Sequence, residues 1–402
     1  MRLTESLRNT HSPSIITEVH DYANFLLKEL AQQRNLPKSK HKLAVERYNA
    51  VAEWINSAPE GSTLSDVPIN FYPIGSFATG TTVRPRGKDE YDLDMAGELQ
   101  FPHNEVQDPR TIVDVFEERI RANATYDRIA ERKTRVIRLH YAGDFYLDFM
   151  PCLPNELQNL KDTSIKVPHK ETESLYLLMD SNPIGLSMWF EEQSKIVKYI
   201  KMALNERKDS IVAPIPRHTY DKKPLLQILQ LLKSARDFYF INDEEGKKQV
   251  SSVILQVLLG KCYDGEQNLF ISLKDMINRI FHQYYSETNP TILNPINSNE
   301  DFAKKWREEP EKLGFKKFKG FIYHVREKLL EIENTNGGYS AMSKPFKELF
   351  GENSTKKTFS TLGDAIQKNT ETKGSFITGA GTLTASSASN TKIKGHEFYG
   401  TK

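Results

Sequence analysis

Apolar and polar positions along the chain change period twice. Residues 17–34 (TEVHDYANFLLKELAQQR) carry apolar side chains at helical spacing until Leu36-Pro37 interrupts them. A second helical run covers about 39–57 (SKHKLAVERYNAVAEWINS) and stops at Ala58-Pro59-Glu60-Gly61. From about 69 to 150 the pattern shortens to runs of period two, which predicts strands. Helical spacing returns near 187–206, 224–240, 250–263, 268–283 and 314–332. The order helix, sheet, helices predicts an α+β protein of two lobes: a core at 19–180 that includes the leading helices, and a helical lobe at 181–351. Residues 1–18 read as a polar lead-in. Beyond Gly351 the chain is rich in Thr, Ser, Gly, Lys and Asn, so 352–402 is expected to be largely disordered.

Composition narrows the picture a little. A chain of 402 residues suits two cores better than one. No run approaches the roughly 18 apolar residues of a membrane span, and the first residues lack the apolar stretch of a signal peptide. Two cysteines, Cys152 and Cys262, build neither a disulfide framework nor a structural zinc site, which suits a reducing cytoplasm. A net charge of +2 does not mark a dedicated duplex binder. The ten histidines show no metal-ligand spacing.

The chemistry concentrates in DEYDLDMAGEL. On a strand, Tyr91, Leu93 and Met95 face one way and Asp92 and Asp94 the other, with the two carboxylates about 7 Å apart. Farther on, TRVIRLHY and FYLDFM are joined by Ala142-Gly143-Asp144, a hairpin turn in prospect. There Phe145, Leu147 and Phe149 share a face and Asp148 takes the opposite one. If that strand lies beside the first, three carboxylates converge and call for a cation. Hard oxygen donors favour magnesium, with manganese as its substitute, and two such ions can clamp an in-line phosphoryl displacement. Upstream, Gly75-Ser76 supplies backbone and a hydroxyl suited to a triphosphate.

These motifs resemble the cGAS/DncV-like nucleotidyltransferases (CD-NTases) of bacterial antiphage signalling, within the polymerase-β-like superfamily. The resemblance runs over about 20–350. It rests on GSFATGTTVRP, EYDLDM, the RVIRLHYAGDFYLDFMPCLP hairpin, NPIGLSMWF, PLLQILQLLKSARDFYF, VSSVILQVLLGKCY and LNPINSNEDFAKKW. It implies a bilobed, Mg²⁺-dependent enzyme that joins nucleoside triphosphates without a template and closes the product into a ring. It also implies Asp92, Asp94 and Asp148 as metal ligands and catalytic residues. Gly75, Ser76, Lys233 and Ser252 are implied as nucleotide-binding.

Local chemistry leaves alternatives for the last two. Lys233, beside Leu229, Leu231 and Leu232, must find an anion or snorkel to solvent. Ser251-Ser252 opening an apolar helix also reads as a cap. Arg84 and Arg86 lie where phosphate or solvent would take them, and Asn294-Pro295 with Glu300-Asp301 resembles a family segment near the base pocket. In KLGFKKFKGF, Phe315, Phe318 and Phe321 are expected to turn inward.

Some family members are controlled through their C-terminal tails by regulatory or conjugating proteins. Phe398-Tyr399 at the end of a polar tail fits such an anchor. The zinc insertion of DNA-sensing relatives is missing, so DNA activation is not expected. Competing outcomes are a linear oligonucleotide product, transfer of one nucleotide to RNA or protein, or a silent scaffold on the same fold.

Overall fold

A computed structural model of the chain describes residues 13–84, 90–143, 145–156, 162–194, 222–242, 250–335 and 339–373. It also describes short strands at 211–212, 376–377, 383–384 and 391–392. The first elements are α1 (Pro13–Arg34), α2 (Lys38–Asn56), the single turn α3 (Thr63–Asp66), β1 (Ile69–Pro73), the single turn α4 (Gly75–Ala78) and β2 (Tyr91–Leu99). Then come α5 (Arg110–Arg121), α6 (Ala124–Asp127), β3 (Ala130–Arg132), β4 (Ile137–Tyr141), β5 (Phe145–Pro154), β6 (Ile165–Lys170) and β7 (Tyr176–Ser181). The second half is mostly helical: α7 (Pro183–Gln193), α8 (Pro224–Tyr239), α9 (Ser252–Cys262), α10 (Leu269–Tyr284), α11 (Lys304–Glu308), α12 (Leu313–Glu333), α13 (Ser343–Phe350) and α14 (Glu352–Lys373). Strand β8 (Ile211–Val212) joins the main sheet, β9 (Leu293–Asn294) pairs with β10 (Asn297–Asp301), and β11 (Phe376–Ile377), β12 (Leu383–Thr384) and β13 (Thr391–Lys392) form a small sheet.

The main sheet runs β3-β4-β5-β2-β1-β8, with β6 and β7 added along the far end of β5. Its two central strands, β2 and β5, are parallel, while β1 and β4 flank them antiparallel. Period-two alternation turns Leu93, Met95, Phe145, Leu147 and Phe149 into a core shared with Phe116 of α5 and Tyr48 and Val51 of α2. The carboxylates of β2 and β5 are left on the opposite face.

Four sequence expectations are corrected. The stretch 69–150 is not all strand, because α5 buries Ile112, Val113, Phe116 and Ile120 along one helical face against β5. Helix α1 does not belong with the sheet: Ala23, Leu26, Leu27 and Leu30 pack into the core of the helical lobe, against α8, α10, α12 and α14. Residues 352–402, expected to be largely disordered, begin instead with the helix α14. Thr355, Thr358 and Leu362 of α14 are buried at helical spacing against α1 and α13, enough apolar contact to order a segment whose composition reads as polar. The helix expected at 187–206 begins at Pro183 and ends at Gln193. Residues 195–206 lie outside the described set, as do 1–12 and Phe398-Tyr399. The inward turn of Phe315, Phe318 and Phe321 is as expected, each being at most 2% exposed. Among the described residues, no helix is long and apolar enough to cross a membrane.

Candidate active site

The register of the central strands sets the site. Asp94 of β2 stands opposite Asp148 of β5, and Asp92 opposite Tyr146. The hairpin pairs Arg138 of β4 with Asp148 on its other side. The three carboxylates therefore share one face over adjacent strands. Burial, then Asp148 and Asp92, push the Asp94 carboxyl up to about 8. Asp92 is also raised, first by desolvation and then by Asp148, although its side chain keeps 58% of its exposure. Burial and mutual repulsion outweigh the nearby cations at Asp92 and Asp94, and the all-oxygen donor set fits a hard divalent cation. Among the described residues, no group of three His, Cys, Asp or Glu stands close enough together to hold a metal ion without side-chain movement.

Arg138 is one of the nearby cations. Its Nε and Nη2 donate to Asp148 Oδ1 and Oδ2, each at 2.7 Å. Its guanidinium sits 4.6 Å above the Tyr146 ring and 3.7 Å from Asp92 Oδ1. The sequence reading missed this residue. A usable signal was present, because counting back from the Ala142-Gly143-Asp144 turn brings Arg138 opposite Asp148 in an antiparallel hairpin.

Gly75 and Ser76 open α4, directly after β1 and against β2. Gly75 has φ +61°, and Ile74 N–H donates to Asp94 O at 3.0 Å, so the turn is tied to the carboxylate strand. The Ser76 and Thr82 hydroxyls are 3.0 Å apart.

From the other lobe α8 presents Lys233, only 4% exposed. Its Nζ donates to Thr81 O at 3.2 Å and Thr81 Oγ1 at 3.3 Å. Lys233 does not snorkel. Desolvation, and then Arg236, pull its ammonium down to about 7, against the opposing effect of Asp237 and Asp94. One turn on, Arg236 donates to Ser252 Oγ at 2.9 Å and to Val250 O at 3.0 Å. Ser251 occupies the N-cap position of α9, but its side chain makes no capping bond. Ser252 is the serine that faces the cleft.

A cleft of about 870 Å³ between the lobes gathers Gly75, Ser76, Asp92, Asp94, Lys233 and Ser252. Its wall also includes Arg84, Arg236, Asp237, Phe240 and Glu300. Glu300 is held by Asn294 Nδ2 at 2.7 Å and Ser181 Oγ at 3.1 Å. Asp301 instead accepts from the Ile292 and Ala303 amides and pairs with Arg307, a structural role. Arg86 lies outside the described residues.

Comparison with known proteins agrees with this geometry. Residues 23–193 match the Second Messenger Oligonucleotide or Dinucleotide Synthetase domain. The chain is 28% identical over 314 residues to the c-di-GMP synthase of Roseivirga ehrenbergii, covering 77% of this chain and 80% of that protein. It is 33% identical over 193 residues to the cyclic dinucleotide synthase CdnG of Bradyrhizobium diazoefficiens, covering 46% of this chain and 44% of that one. The structure of B. diazoefficiens CdnG in complex with GTP superposes with a TM-score of 0.66 at 23% identity, over 85% of this chain and 99% of that one. Fold and domain define a nucleotidyltransferase. Over residues 23–193 and beyond, the chain is similar to members of the cGAS/DncV-like nucleotidyltransferase (CD-NTase) family.

Proposed function

We propose that this protein joins two purine nucleoside triphosphates, GTP among them and ATP as an alternative, into a cyclic dinucleotide second messenger for antiphage defence. The observation that carries the reading is the register of β2 and β5, which sets Asp94 against Asp148 beside Asp92 and across the cleft from a buried lysine. The names of the two relatives, a c-di-GMP synthase and CdnG, support the cyclic dinucleotide.

Asp92, Asp94 and Asp148 would hold two Mg²⁺ ions, which when bound lower the pKa of the attacking hydroxyl and offset charge on the leaving oxygens. Gly75 brings backbone close to the triphosphate and Ser76 offers it a hydroxyl. Lys233 places a positive charge on the donor phosphates, where it recovers the charged form that burial otherwise disfavours. A ribose hydroxyl of one nucleotide attacks the α-phosphorus of the other. The new P–O bond forms as the bond to the β-phosphate breaks, pyrophosphate leaves, and Asp148 takes the hydroxyl proton. A second round at the same residues closes the ring. Glu300, its oxygens fixed by Asn294 and Ser181, offers acceptors of the kind that the N1–H and amino group of guanine require.

The test is incubation of the full chain with each radiolabelled nucleoside triphosphate and Mg²⁺ or Mn²⁺, then phosphatase treatment and mass spectrometry. A phosphatase-resistant cyclic dinucleotide is expected. A product that phosphatase trims would mean linear synthesis, and no metal-dependent pyrophosphate release would mean a silent scaffold.

A further inference from the structure

Both oxygens of Asp148 are engaged by one guanidinium. The grip is planar and bidentate, the geometry in which an arginine holds a carboxylate most firmly. Asp148 is 9% exposed, so its charge needs a partner, and Arg138 is the cation hydrogen-bonded to it. The same guanidinium stands 3.7 Å from Asp92, and is therefore shared by two of the three carboxylates that the proposed reaction assigns to metal. A divalent ion on those oxygens would sit within a few ångströms of a permanent positive charge, and the two cations would compete.

Resting on that metal reading, we infer that Arg138 is a resident counter-ion of the carboxylate cluster. It weakens metal binding while the cleft holds no nucleotide, and it releases Asp148 when a triphosphate arrives. The side chain has room for this change. It lies against the Tyr146 ring on the face of the sheet that carries the carboxylates and keeps 27% of its exposure. The triphosphate brings both the negative charge that can take up the guanidinium and oxygens that complete the coordination of the metal. Metal loading is thereby tied to substrate, and Arg138 is a positioning residue acting through Asp148.

A brace that merely held the sheet would predict the reverse. Removing such a brace would loosen the site and leave metal affinity equal or lower, whereas removing a competing cation raises it.

The experiment measures Mn²⁺ binding to the full-length, nucleotide-free protein by the electron paramagnetic resonance signal of free Mn²⁺. Arg138→Gln is expected to bind Mn²⁺ about 10-fold more tightly than wild type, or better. With a saturating non-hydrolysable GTP analogue, the gap should close to within about threefold. Equal or weaker Mn²⁺ affinity in folded Arg138→Gln would overturn the inference, as would a gap that the nucleotide leaves unchanged. Should Arg138→Gln fail to fold, Arg138→Lys keeps a charge but loses the fork. It should show a smaller gain in the same direction, and no gain would again refute the counter-ion role. If neither wild type nor variant binds Mn²⁺ even with nucleotide present, the metal reading falls as well, which separates that failure from failure of the Arg138 role alone.

Discussion

Gly75 and Asp94 are in close contact across the start of the site: a Cβ placed on Gly75 would lie 2.7 Å from Asp94 Oδ2. Gly75 also has φ +61°, which side-chain-bearing residues adopt at a cost of about 1–2 kcal/mol. Gly75→Ala is therefore expected to displace the Asp94 carboxylate and to cut nucleotide turnover at least about 10-fold, with a stability loss of about 1–2 kcal/mol. Paired measurements of turnover and melting temperature check this. Unchanged turnover would mean that the turn does not set the position of Asp94.

Asp92→Asn with Asp94→Asn should abolish turnover and leave the metal-free fold as stable or more so, since two carboxyls whose charged forms are disfavoured by burial and by Asp148 become neutral amides. The pH dependence follows from Asp94. Its carboxyl is raised from the usual 3.8 to about 8 in the fold, so between those values the folded chain holds a proton that the unfolded chain has lost. Stability conferred by this group is thus lost as pH rises from about 4 to 8. In EDTA, the melting temperature of wild type should fall across that window more steeply than that of Asp94→Asn. Identical slopes would remove Asp94 as the source.

Lys233→Met tests the phosphate grip. The ammonium is lowered from 10.5 to about 7, so between those values the unfolded chain binds the extra proton and stability rises with pH. Replacing this buried cation with an apolar side chain of similar length should leave the nucleotide-free protein equally or more stable near pH 7. Triphosphate affinity should fall about 10-fold or more, the scale of one charge-assisted contact. Calorimetric titration with a non-hydrolysable nucleotide reads it, and unchanged affinity would place the phosphates elsewhere.

Glu300→Gln exchanges one of two fixed acceptors for a donor. If Glu300 reads guanine, incorporation of GTP relative to ATP should fall about 10-fold in competition. An unaltered ratio would leave Glu300 as a support for Asn294 and Ser181 alone.

Leu362→Ala in α14 removes a side chain that is 4% exposed in the helical core and should cost about 2–3 kcal/mol, whereas Lys357→Ala on the exposed face should be near neutral. Denaturant unfolding of both variants decides whether α14 is part of the folded lobe. Equal midpoints would mean that it is not.

What the sequence determined by itself is the local part. Period-two alternation put Asp92 and Asp94 together and Asp148 in phase, because side-chain direction on a strand depends only on the residue's place in that strand. Helical spacing likewise located α2, α8, α9, α10 and α12 to within a few residues, and turned Phe315, Phe318 and Phe321 inward. Family motifs in the sequence brought Gly75, Ser76, Lys233 and Ser252 into view. Tertiary structure decided what depends on partners distant along the chain. The parallel register that sets Asp94 against Asp148 joins strands more than 50 residues apart, and nothing in either strand alone states it. The burial of Lys233 requires Thr81 from the other lobe. The allegiance of α1 and the folding of α14 each rest on apolar faces that find their partners only when the two ends of the chain meet. Arg138 lies between the two cases: the hairpin makes its register legible, but its bidentate hold on Asp148 is a matter of side-chain geometry that only the folded site supplies.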